Sequence, residues 1–237
     1  VLPGAYRIIV NSDSRSIVPD ANRFNNTGAS GLIQVDIPQL TLNSPLVGTI
    51  HPGQELYYQV FLENGGDLNI KGIFQNTNAG EISVLSNGIP SDNKYGAQHF
   101  LAGSTLQEVN YLGTYPGMQI IRLKGREGAG TGAGFTLTTS MLPLSITDIG
   151  PNQGSNNGIV TLTINGSDFK PDSTVELIAG SNLVAASKVV VVNSSRIFAD
   201  FNLAGKTLGN YDVRIHSGSN SVIKASAFQI IHGNLGN

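Results

Sequence analysis

The chain has 237 residues, with 14 Lys and Arg against 16 Asp and Glu, 29 Gly, 10 Pro and neither Cys nor Trp. A charged fraction of 13% without a Lys/Arg cluster lacks the electrostatic footprint of a nucleic-acid binder, and no apolar run reaches the roughly 18 residues of a membrane helix. The missing cysteines exclude disulfides, thiolate metal sites and Cys nucleophiles, while 40% apolar content and low net charge exclude a disordered tail.

No basic, apolar leader opens the sequence, so a soluble piece is expected, with any export signal outside it. Apolar residues rarely recur at helical spacing for more than one turn. Short runs rich in Val, Ile, Thr, Tyr and Phe recur instead, and they predict strands. In chain order these are 6–10, 32–37, 56–62, 68–74, 81–85, 106–112, 118–123, 135–139, 159–165, 174–178, 188–192, 197–201, 211–216 and 227–231. Between them, Asn64-Gly65-Gly66-Asp67, Asn87 to Asp92 and Asn152 to Gly158 read as turns. The expected fold class is all-β, in tandem β-sandwich modules.

A Gly-x-(Tyr or Gln) turn entering a strand recurs at Gly4-Ala5-Tyr6, Gly117-Met118-Gln119 and Gly209-Asn210-Tyr211. The spacing is close to the ~100 residues of an immunoglobulin-like sandwich, where such a tyrosine bonds back to upstream backbone. Three modules follow: residues 1–38, 39–141 and 142–237. The first copy would hold only the last strands of its module. Some 38 residues cannot bury a core alone, so the sequence is expected to be cut from a longer chain, or its start to lean on the next module. Ile37-Pro38-Gln39-Leu40 is expected to end the first segment, because proline stops strand pairing. Met141-Leu142-Pro143-Leu144 joins the other two without Gly or Ser spacers, which implies restricted motion and apolar packing at the junction.

The third module carries a resemblance. Ile146-Thr147-Asp148-Ile149-Gly150-Pro151-Asn152-Gln153-Gly154 and the strand from Gly158 to Gly166-Ser167-Asp168-Phe169 resemble the opening of the IPT/TIG domain, an immunoglobulin-like fold. The likeness continues through Thr174 to Leu177, Ser195 to Ala199, Gly209 to Val213 and Ala227 to Ile230, covering about 144–232. The middle segment, about 39–141, is similar to the bacterial pre-peptidase C-terminal domain through Gly48-Thr49-Ile50, Gly53 to Val60 and Phe135 to Thr138. That family often carries an Asp-rich strand, from which Gly80-Glu81-Ile82-Ser83-Val84-Leu85 departs. Residues 1–38, with Leu2 to Tyr6, Ser12-Asp13-Ser14, Val18 to Asn26 and Ile33-Gln34-Val35, resemble the last two strands of a CARDB domain, an adhesion-related module. This order implies a large modular bacterial protein, secreted or held at the cell surface, in which such modules act as spacers or adhesive units. The implied partners are other domains of the same polypeptide, surface proteins or glycans, without nucleic acid or membrane insertion.

Chemistry-bearing groups are sparse. His51, His99, His216 and His232 are isolated, and neither a Gly-x-Ser-x-Gly elbow nor a His-Glu-x-x-His helix occurs, so no catalytic residue and no enzyme activity is expected. Gly205-Lys206-Thr207 lacks the glycine of a phosphate loop, position 200 being Asp, and it precedes a strand. The glycine-rich run 125–134 reads as a hairpin loop. Asp13, Asp20, Asn22, Asn25 and Asn26 crowd one loop; they are weak candidates for a structural calcium, and the competing reading is an Asx-rich turn. No other cofactor is expected. Asp148, Asp168 and Asp172 read as turn residues or strand-end caps. Tyr57-Tyr58, Tyr95, Phe100, Tyr111 and Tyr115 enrich the middle module, and either Tyr57 or Tyr58 must face away from its core. Exposed tyrosines motivate the alternative function, a carbohydrate-binding accessory module of a secreted enzyme.

Overall fold

The structure is a computed structural model that describes residues 4–233; Leu2 and Pro3 of the CARDB-like motif lie outside the described residues. Strands make up about 59% of the chain and helix 3%, so the cores are built from sheet faces.

The chain opens with a bent antiparallel ribbon. Its strands β1 (Gly4–Tyr6) and β2 (Ile9–Asn11) pair with β4 (Ile33–Val35) and β3 (Thr27–Ala29) respectively. The predicted strand 6–10 is therefore broken at Arg7-Ile8, where the Ile8 amide donates to Ser30 Oγ at 2.9 Å. The ribbon buries little: Ile8, Ile9, Val10, Ile17, Val18, Phe24 and Leu32 are all more than half exposed.

The middle sandwich comprises β5 (Leu46–Ile50), β6 (Glu55–Leu62), β7 (Gly66–Phe74), β8 (Gly80–Ser86), β9 (Ala97–His99), β10 (Leu106–Thr114), β11 (Gly117–Gly125) and β12 (Ala133–Met141). One sheet has the order β10-β7-β12-β5, the other β6-β11-β8-β9. Alternating residues of the two inner faces, among them Leu68, Ile70, Ile82, Val84, Ile121, Leu123, Phe135 and Leu137, form a single core. Residues 37–40 do not end in a free linker. Gln39 pairs in parallel with Gln59, and although Pro38 lacks an N–H its carbonyl accepts from the Gln59 amide at 3.0 Å. Leu40 joins the core.

The second sandwich comprises β13 (Ser145–Gly150), β14 (Gln153–Ser155), β15 (Ile159–Ser167), β16 (Thr174–Ala179), β17 (Asn182–Ala185), β18 (Lys188–Asn193), β19 (Arg196–Asn202), β20 (Gly209–Ser217) and β21 (Asn220–Ile231). Sheets β13-β15-β19-β18 and β14-β21-β20-β16-β17 enclose a core containing Leu162, Ile164, Leu177, Ile197, Phe201, Val213, Ile215 and Phe228. The Asn152 to Gly158 cluster, read above as a turn, contains β14, which pairs in parallel with the end of β21. Strand β21 also runs longer than expected. A bulge opposite Asp212 lets Ser226 take a positive φ while its amide donates to Asp212 Oδ1 at 2.7 Å.

The repeated glycine turn has one geometry in both sandwiches. Gly117 and Gly209 have φ of 117° and 135°, a region that favours glycine. Two residues later a buried polar side chain reaches the carbonyl four residues back: Gln119 Nε2 donates to Tyr115 O at 2.8 Å, and the Tyr211 hydroxyl donates to Thr207 O at 2.9 Å. Tyr211→Phe is expected to cost about 0.5–1.5 kcal/mol by orphaning that carbonyl. Gln119→Met should cost more, because it also strips Ser86 Oγ of its acceptor. Denaturant titration of the two variants checks both the sign and the order.

Candidate functional site

The oxygen-rich loop of the first segment is engaged with its own backbone. Asp13 Oδ1 accepts from the Ile17 amide at 2.7 Å, and Oδ2 accepts from the Val18 amide and from Arg23 at 3.3 Å. Asp20 accepts from the Asn22 amide and Asn22 from the Phe24 amide, while Asn25 lies in the short turn that Asn22 caps. Among the described residues no three His, Cys, Asp or Glu side chains gather where one metal ion could sit. The histidines are dispersed. His216 stands 3.7 Å from Glu176, whose carboxylate also takes Arg214, on the solvent face of the β16–β20 pair.

The tyrosines separate by face. Tyr58 points into the middle core, edge-on to Phe135, and its burial raises its pKa. Tyr57 points outward, and its hydroxyl donates to Glu55 Oε2 at 2.7 Å. Burial, then the Glu55 carboxylate, pushes its pKa up to about 12.

That outer face of β6, β11 and β8 holds a charge network which residues scattered from 55 to 126 assemble only in the fold. Arg122, 1% exposed, donates to Glu55 and Asp92 at 2.9 Å and to Ser83 Oγ at 3.0 Å. Its second terminal nitrogen is 3.5 Å from buried Glu81, which also pairs with Arg126 and takes the Gln98 amide. Arg126 in turn lies over the Phe100 ring, 4.1 Å from its centroid. The segment 87–96, of which Asn87 to Asp92 was expected to be a turn, folds across this face. Pro90 is buried there, and Asp92 bridges Lys124 and Arg122, whose hydrogen bonds hold its carboxyl below the usual range. The network thus pins a loop over the sheet.

The third cluster lies where the two sandwiches meet. Asp67, at the start of β7, is 1% exposed. Its Oδ1 accepts from the Gly113 amide at 2.6 Å and from Ser194 Oγ at 2.7 Å, and its Oδ2 accepts from the Asp168 amide at 2.7 Å. Its carbonyl takes the Leu142 amide at 2.8 Å. One residue therefore joins the middle sandwich, the connecting segment and two loops of the second sandwich, the loops through its carboxylate and the connection through its carbonyl. The connection adds a further tie, since Ser167 Oγ donates to Pro143 O at 2.5 Å and Leu144 packs on the second core. Asp168, read above as a turn residue, does turn, with φ 57°, and it also supplies this interdomain contact. Beside the clasp opens a cleft of about 720 Å³, walled by residues 64–66 and 113–115 on one side and 168–172 and 191–194 on the other. Sequence reading did not single out Asp67 as a clasp or the cleft as a site; it named the turn Asn64-Gly65-Gly66-Asp67, Asp168, Asp172 and Tyr115 separately.

Residues 144–229 match the family model of the IPT/TIG domain, over the span of the second sandwich. No curated protein sequence matches the chain. Among solved structures, the pre-peptidase C-terminal domain of collagenase from Bacillus anthracis is similar at 13% identity and a TM-score of 0.37, covering 44% of this chain and 93% of that one. PliG of Aeromonas hydrophila, a periplasmic inhibitor of g-type lysozyme, is similar at 12% identity and a TM-score of 0.34, covering 44% and 95%. The extracellular region of plexin A4 aligns with 79% of this chain at 16% identity and a TM-score of 0.32, and the chain spans 18% of its length.

Two measurements follow from the charge network. Arg122→Met leaves Glu81 buried beside one cation instead of two and should destabilise the chain by about 3 kcal/mol, the lower end for a broken buried pair because Glu55 and Asp92 can regain water; its denaturation midpoint reads this. Tyr57, whose folded pKa lies above the ordinary 10, contributes stability that is complete below pH 10 and is lost as pH rises through about 12. The phenolate absorbance titration of the wild type minus that of Tyr57→Phe should show one step near 12.

Proposed function

We propose that this chain is a non-catalytic, extracellular spacer and adhesion segment of a large modular bacterial surface or secreted protein. The carrying observation is the buried Asp67 carboxylate, bonded to both sandwiches at once. A catalytic scaffold converges reactive groups on a cleft, whereas this chain uses its most buried carboxylates, Asp67 and Glu81, to hold parts together. Two sandwiches in fixed orientation transmit position along a polypeptide, which a spacer requires and a flexible tether cannot supply. The IPT/TIG match supports the placement, since such domains occur in extracellular modular proteins.

The opening ribbon fits the same reading. Both of its faces carry apolar side chains, as interior strands of a sandwich do, and a two-stranded ribbon is marginal by itself. We assign it as the last two strands of a CARDB-like sandwich, whose exposed faces are covered by other domains of the same polypeptide.

Asp67→Asn tests the reading. The amide keeps one acceptor but cannot receive two N–H groups and a hydroxyl as the carboxylate does. The expected loss is about 1.5–3 kcal/mol, the range for a hydrogen bond to a charged group. Small-angle scattering should fit one fixed arrangement of the two sandwiches in the wild type and a broadened distribution in the variant. A wild-type curve that already requires many arrangements overturns the rigid-spacer function.

A further inference from the structure

We propose that the cleft beside the Asp67 clasp binds a neutral glycan; this deepens the adhesion half of the function above and rests on the fixed orientation of the two sandwiches. Domain junctions are a favoured place for ligand sites, and about 720 Å³ lies within the roughly 300–1,000 Å³ of ordinary ligand pockets.

The lining has the chemistry of a sugar site. Tyr115 stands at one wall with 74% of its surface exposed, an aromatic ring that no core contact explains. The backbone that carries it is fixed. Gln119 holds the Tyr115 carbonyl at 2.8 Å, Asn87 holds the Pro116 carbonyl at 3.2 Å, and Asn87 Oδ1 takes the Met118 amide at 3.0 Å. With its backbone already fixed, the ring gives up less entropy when a flat, weakly polar face stacks on it. On the opposite wall the backbone is equally fixed: the Asp168 amide is held by Asp67, its carbonyl takes Ser217 Oγ at 2.7 Å, and the Lys170 amide donates to Ser173 Oγ at 2.9 Å. Two side chains of that wall, Asp168 and Asp172, are left for a ligand, as is Asn64 on the wall of Tyr115. Among the described residues, no hydrogen bond or ion pair engages the carboxylates of Asp168 and Asp172 or the amide of Asn64.

Two further features select the ligand. The wall of Tyr115 also includes Gly65 and Gly113, both at positive φ, which leave backbone at that part of the cleft surface. A ring facing free carboxylates, with a free amide on its own side, matches a molecule with one C–H face and many hydroxyls. Two carboxylates against the single Lys170 ammonium disfavour a carboxylated or sulfated glycan through like-charge repulsion. The structure therefore points to an uncharged oligosaccharide.

The test is a titration of the isotopically labelled full chain with cellohexaose, chitohexaose and a sulfated heparin hexasaccharide, followed by amide chemical shifts. At least one neutral sugar should shift the amides of residues 64–66, 113–115, 117–118, 168–170 and 172 and leave the remote β16–β17 edge unmoved. Tyr115→Ala, a change at an exposed side chain, should weaken that binding about tenfold, and Asp172→Asn should weaken it less. The proposal is overturned if neither neutral sugar shifts these amides, if shifts fall elsewhere, if Tyr115→Ala titrates like the wild type, or if the sulfated sugar binds best. Scattering of the wild type reads the spacer function separately: a rigid chain that binds neither neutral sugar removes the glycan site and leaves the spacer, whereas an articulated chain removes both.

Discussion

A single buried carboxylate sets the relation between the two halves of this molecule. Asp67 would be costly to bury alone, because a desolvated charge loses far more than one hydrogen bond returns. Its position is tolerable only because three donors reach it, one from its own sandwich and two from loops of the other. The constraint is reciprocal. If the second sandwich moves away, the carboxylate loses two of those three donors. A local electrostatic requirement thus helps to fix the geometry of the junction.

The same logic appears on the outer face of the middle sandwich. Arg122 lies on the solvent side of its sheet by strand alternation, yet it is 1% exposed because segment 87–96 covers it. Glu55, Glu81 and Asp92 compensate its charge, and Ser83 takes its Nε. Such a network contributes little to stability compared with well-packed apolar residues. Its effect is to specify which loop lies on which face, and that decides the surface the sandwich offers to solvent.

The strands were largely legible from residue order, because alternation is a direct consequence of side chains pointing to opposite faces of a sheet. Strand β12 shows the regular case, with every second residue from Ala133 to Thr139 buried. Legibility failed where pattern and pairing part company. Strand β14 consists of Gln-Gly-Ser, which reads as a turn, and exists only because β21 supplies a parallel edge. Strands β5, β9 and β17 were also not singled out as strands: three to five residues give too few alternations to rise above loop composition. The candidate site was less legible still. Asp67, Gly113, Asp168 and Ser194 are distant in sequence, so no local motif announces their meeting.

By itself the sequence determined the all-β class, the recurrence of the glycine turn that enters β11 and β20, and the IPT/TIG likeness of the last third. These depend on short-range rules: side-chain period, turn stereochemistry and residue offsets within one module. Only the tertiary structure decided that Asp67 is a clasp and not a turn residue, that Asp92 closes a loop over Arg122, and that Tyr115 overlooks a cleft. Each of these depends on groups brought together from remote positions, where desolvation and geometry, not local composition, assign a charged or aromatic side chain its role.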